Sequence, residues 1–102
     1  MAFNGKEGGE ITLQTGANLT AEYRRLNPGE RKGHFMGRDM INDILDQTGC
    51  MGIRVYYGVD DDGNKELVWV GADEETNDMT GLVADICVPC PNVCGESNDL
   101  NS

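Results

Sequence analysis

The stretch over residues 50–72, CMGIRVYYGVDDDGNKELVWVGA, constrains this chain more than any other. From Met51 to Val59 the residues alternate. Met51, Ile53, Val55, Tyr57 and Val59 fall on one side, and Gly52, Arg54, Tyr56 and Gly58 on the other. A period of two with β-branched and aromatic residues is the signature of a half-buried strand. A second strand over residues 66–72 is apolar on both faces through Leu67, Val68, Trp69 and Val70, as a central or doubly covered strand would be. Between the two, Asp60-Asp61-Asp62-Gly63-Asn64-Lys65 supplies a turn, with Gly63 suited to a positive φ. The stretch therefore reads as a β-hairpin.

The flanking sequence adds helices before it and a strand after it. Leu19, Tyr23 and Leu26 recur at helical spacing over residues 18–26, and Asn27-Pro28-Gly29 stops that helix. Residues 30–37, ERKGHFMG, read as a basic connector holding the only histidine, His34. Residues 38–47 form a clearer helix, with Met36, Met40, Ile41, Ile44 and Leu45 in one apolar stripe. Thr48-Gly49 closes it, which lets the stripe fold back onto the hairpin's apolar face. After the acidic segment 73–80, residues 81–88 alternate again and predict a third strand. Ile11, Leu13 and Thr15 alternate with polar residues and predict a short N-terminal edge strand. Residues 89–102 contain Pro89 and Pro91, which exclude a regular strand interior, so composition predicts a frayed tail.

Charge narrows the partners. The net charge is −10, and it is unevenly placed. Residues 1–59 hold seven basic and seven acidic residues, whereas residues 60–102 hold eleven acidic residues and one basic, Lys65. Nucleic acid and anionic membrane surfaces, which require Lys and Arg facing phosphates, are excluded as expected partners. Head-to-tail contact between the Arg-bearing half of one copy and the acidic half of another is compatible with this distribution, and solubility is the bland reading of the same charge. No apolar run approaches the roughly 20 residues of a membrane helix. The N-terminus lacks the basic and apolar regions of a signal peptide, so a cytoplasmic location is the default expectation, with an extracellular or surface assembly as the alternative.

The run HFMGRDMINDILDQTGCMGIRVYYGVDDDGNKELVWVGAD, followed by VPCPNVC and a Leu-Asn-Ser end, resembles a family of small uncharacterised bacterial proteins. The resemblance spans roughly residues 19–102, and GCMGIRVYYG and PCP are its most specific elements. It implies a small natural domain and supplies no catalytic or binding residue.

Four groups of residues invite a chemical reading. Cys87, Cys90 and Cys94 form C-x2-C-x3-C, a spacing that can hold zinc or an iron–sulfur cluster through thiolates converging on a tight turn. Cys50 precedes the first hairpin strand, about 25 Å from the expected end of the third, so a closed site would take His34 or a second chain as fourth ligand. A disulfide between Cys90 and Cys94 and a set of reduced structural thiols are the competing readings. Asp60-x-Asp62-x-Asn64 imitates the start of a calcium loop, but Lys65 occupies the glycine position and Gly71 the position of the bidentate carboxylate. Arg54 and Tyr56, between Gly52 and Gly58, form a flat patch of the kind enriched at interface centres. The bland alternative pairs Arg54 with a local carboxylate. Finally, one histidine and no nucleophile elbow or phosphate loop argue against an enzyme.

These features predict a single α+β domain over residues 1–102, with 1–16 and 89–102 irregular. Its core is a three-stranded antiparallel sheet centred on the hairpin, with two short N-terminal helices packed on one face. The third strand and the N-terminal strand are the edges expected to pair with another chain. The expected function is a non-catalytic structural or interaction protein that self-associates as a homo-oligomer or filament-like assembly. The alternative is a small cysteine-based metal-binding or redox module.

Overall fold

A computed structural model describes residues 2–102. Its elements, in chain order, are α1 (Leu13–Leu26), β1 (Gly33–Phe35), α2 (Arg38–Leu45), β2 (Cys50–Val59), β3 (Lys65–Asp73), β4 (Asp78–Ala84) and β5 (Val88–Cys90). The architecture is α+β. The chain divides into two compact units, one containing the residues up to Gly8 with Met36–Cys87, the other Gly9–Phe35 with Val88–Ser102.

The first unit is built on the hairpin. β2 and β3 pair antiparallel over their full length, from Cys50 opposite Asp73 to Val59 opposite Lys65, and β4 adds to β3 in the order β2-β3-β4. The turn between β2 and β3 is held by its own first residue. Asp60 accepts from the backbone N–H groups of Asp62 and Asn64 at 2.9 Å each, and Gly63 adopts φ +84°. That use of the Asp60 carboxylate accounts for the spacing that imitates a calcium loop.

The core lies where α2 covers the sheet. Met36, Ile44 and Ala84 form its buried cluster, with Met40, Ile41, Ile53, Leu82 and Trp69 packed against it. Ile44 has no exposed surface. Helix α2 has eight residues, about 12 Å of helix, while the ten residues of β2 run about 33 Å. The helix therefore covers only the end of the hairpin nearest Cys50. Past Ile53, Val55, Tyr57 and Val59 are 36%, 93% and 68% exposed. Leu45, assigned to the apolar stripe from its spacing, also stays exposed.

The opposite face of this sheet carries Arg54, Val70 and Ala72, the last two almost fully buried. The N-terminal segment lies along it. The Phe3 N–H donates to the Glu74 carbonyl at 2.8 Å, and the Arg54 guanidinium sits 5.4 Å above the Phe3 ring.

In the second unit, α1 starts earlier than its apolar spacing predicts. Thr12 caps it by accepting from the Thr15 N–H at 3.1 Å, so Leu13 and Thr15, expected in an edge strand, are helical. Arg24 and Arg25 occupy the last turn, where cations complement the helix dipole. The tail is tied down. Arg24 donates to the Leu100 carbonyl at 2.7 Å and Lys32 to the Asn101 carbonyl at 2.8 Å. A two-stranded sheet pairs β1 with β5, placing His34 opposite Pro89. A strand with a single partner has one unpaired side, which is how Pro89 can occupy β5.

Three expectations need correction. The helices fall in different units: α2 covers the sheet within the first, and α1 belongs to the second. Residues 11–15 form no strand, because capping by Thr12 starts α1 at Leu13. The third strand begins at Asp78 and stops at Ala84, instead of running from 81 to 88. Beyond Ala84 the chain leaves the ladder with Ile86 at φ +59°, and Cys87 joins the cluster of Met36 and Ile44, as does Cys50. The wide separation expected between Cys50 and the end of the third strand assumes a strand reaching the hairpin tip; β4 stops at Ala84, opposite Trp69, and Cys50 and Cys87 both pack against the Met36, Ile44 and Ala84 cluster.

Candidate functional site

Two places gather polar or reactive side chains. The first is on the α2-free face of the three-stranded sheet. Arg54 and Tyr56 project there from alternate positions of β2, and Asp78 opens β4 across from Ala72. Arg54 donates to the Asp78 carboxylate and, at 3.1 Å, to the Thr76 carbonyl. The Tyr56 hydroxyl donates to the other Asp78 oxygen at 2.5 Å. A cleft of about 310 Å³ opens beside them, lined by Phe3, Glu7, Arg54 and Ala72 among others.

The electrostatics of this triad point to a latch. Hydrogen bonds from Tyr56 and then Arg54 hold the Asp78 carboxyl below its usual range. The hydrogen bond to Asp78, with partial desolvation, pushes the Tyr56 phenol above its usual value. Asp78 also keeps the Arg54 guanidinium firmly protonated. At neutral pH the triad thus holds a carboxylate, a guanidinium and a neutral phenol, each fixed in one state. A general acid or base needs a pKa near the working pH, and none of the three is moved toward it.

The second place is in the second unit. Cys90 and Cys94 are joined by a disulfide, with Cα atoms 4.7 Å apart. The pair lines a groove of about 710 Å³ with His34, Phe35, Val88 and Val93. Sulfurs bonded to each other offer no thiolate, so in this state Cys90 and Cys94 do not fit zinc. Among the described residues no three His, Cys, Asp or Glu side chains are grouped as a metal site. Cys87 is a free thiol partly buried against the core of the first unit, and Cys50 is a second, donating to the Gly52 carbonyl.

Sequence reasoning selected Arg54 and Tyr56 but not Asp78, which sits in a run of acidic residues with nothing to single it out. Phe3 was missed for a different reason. Its glycine-rich surroundings gave no periodic pattern, and its role depends on contact with a residue 51 positions away. Comparison with family models, with curated proteins and with solved structures finds no match. Among the described residues no helix is long and apolar enough to cross a membrane.

Proposed function

We propose that this protein is a non-catalytic structural protein that self-associates. One observation carries the reading: the hairpin's apolar stripe continues into open surface beyond the reach of α2, with Tyr57 93% and Val59 68% exposed. Large apolar side chains aligned on one strand mark a surface that another chain covers. The fixed protonation states of the Arg54–Tyr56–Asp78 triad support the absence of catalysis at that cluster. The acidic excess argues against nucleic acid and anionic lipid as the partner. Light scattering coupled to size exclusion tests the reading. The mass should rise with loading concentration and should not respond to chelator.

A second reading, a small redox module, is favoured by the placement of the Cys90–Cys94 disulfide in the wall of a groove beside His34. It requires the bond to exchange with a small-thiol buffer at ordinary poise, as labile disulfides do. Thiol counting after equilibration with glutathione distinguishes it. A bond that stays closed rejects it.

A further inference from the structure

We infer that the outer edge of β2 is the self-association surface, and that two copies join there as antiparallel strands about a two-fold axis near Tyr56. This rests on the self-association proposed above and specifies its geometry.

β2 is an edge strand of ten residues, and among the described residues no further strand pairs with its outer side. Edge strands are ordinarily guarded by proline, inward charges, lysine or bulges. β2 has no proline and no lysine, and its register shift is confined to its start, between Cys50 and Gly52. Its one charge, Arg54, is occupied by Asp78. The other edge, β4, is shorter and begins with that same Asp78. Beyond Met51, whose carbonyl the N-terminal segment approaches at Gly5, β2 is thus the open template for a strand.

A second copy fits this edge by pattern and by charge. In an antiparallel pair, directly opposed residues share a face. Centring the pair on Tyr56 sets Val55 of one copy against Tyr57 of the other, and Ile53 against Val59. Aromatic and β-branched side chains favour each other across strands. The first unit carries thirteen acidic residues against four basic, so any self-pairing must keep its acidic turns apart. Antiparallel pairing puts the two Asp60–Asp62 turns at opposite ends of the joined sheet, roughly 30 Å apart. That is several screening lengths at physiological salt. Parallel pairing would bring them side by side.

The size is also consistent. Val55, Tyr56, Tyr57 and Val59 with the backbone edge offer roughly 500 Å² per copy, or about 1,000 Å² in the pair, the low end of specific interfaces. An interface of that size belongs to the weak, concentration-dependent class.

Sedimentation velocity over a concentration series tests this, with wild type, Tyr57→Lys, Tyr57→Ser, and Leu19→Lys, which alters an exposed leucine of α1. Each chain is run at low and high salt. Tyr57→Lys and Tyr57→Ser should each weaken association at least about tenfold, while Leu19→Lys leaves it unchanged. Wild-type association should strengthen with salt, because screening relieves repulsion between two acidic units. Circular dichroism checks that each variant is folded, and Tyr57 is exposed enough for both changes to be tolerated. Wild type that associates, weakens with salt and ignores both Tyr57 variants would overturn the β2 edge in favour of contact between opposite charges. Wild type that stays monomeric throughout overturns self-association itself.

Discussion

Gly71→Ala is the sharpest test of how the core of the first unit is closed. A Cβ at Gly71 would lie 2.9 Å from Cys50 Sγ, 2.9 Å from Gln47 Nε2 and 3.4 Å from Ile44 Cγ2. Carbon contacts are comfortable at about 3.5–4.0 Å, so the sulfur and the amide must each retreat by more than half an ångström. The amide ends a flexible side chain and can swing away for the loss of one hydrogen bond, so the resistance comes mainly from the sulfur. The Cys50 thiol is short and donates to the Gly52 carbonyl at 3.2 Å, and Gln47 Nε2 donates to the Ile44 carbonyl at 2.9 Å. Overpacking of this kind costs about 1–3 kcal/mol. In an uncrowded strand the same change would stabilise by about 0.5–1 kcal/mol, because glycine loses more backbone freedom on folding. The sign of the effect therefore reports the crowding. For a chain of this length, thermal unfolding followed by circular dichroism should show Tm lower by about 5–20 °C. Cys50→Ala removes one clash, so the double variant should lose less than the sum of the two single changes. An unchanged or raised Tm for Gly71→Ala would refute the close approach of α2's end and β2 to β3.

Three further outcomes follow from particular contacts. Ile86 is a β-branched residue at φ +59° with 96% of its surface exposed, so Ile86→Gly should stabilise by about 1 kcal/mol, read as a higher denaturation midpoint. Tyr56, whose phenol is raised by donating to Asp78, should ionise above the usual value near 10 in an ultraviolet titration, and Asp78→Asn should bring it back down. The linkage is two-sided: the lowered Asp78 contributes stability that is lost as pH falls through its folded pKa, and the raised Tyr56 contributes stability that is lost as pH rises through its own. A phenol titrating normally in the folded wild type contradicts the triad. Denatured, unreduced protein should show two reactive thiols, Cys50 and Cys87, and four after reduction; four at the outset would mean the Cys90–Cys94 bond is not formed.

What the sequence made legible was local. The alternation of β2, the turn closed by Asp60 and the stripe of α2 each depend on residues a few positions apart, and each is found where the pattern puts it, except that Leu45 of the stripe stays exposed. The start of α1 was hidden because Ile11, Leu13 and Thr15 fit an alternating reading as well as a helical one, and Gly16 discourages a helix. The choice depends on the Thr12 cap and on Leu100, whose Cδ2 would lie 3.4 Å from a Cβ at Gly16. The β1–β5 pair joins three-residue strands more than fifty positions apart, one containing a proline, and no periodicity can announce that. Periodicity also assigns a face without saying how far a cover extends. It placed Val55, Tyr57 and Val59 with Ile53, but the eight residues of α2 end the cover at Ile53. The surface proposed to carry the function is the remainder.

Native mass spectrometry of the whole chain, over a concentration series with and without reductant, bears most directly on the claim of self-association. Dimers or larger species growing with concentration, free of bound metal and indifferent to reductant, are the predicted result. A monomer at every concentration, or oligomers that disappear on reduction or on chelation, would contradict it.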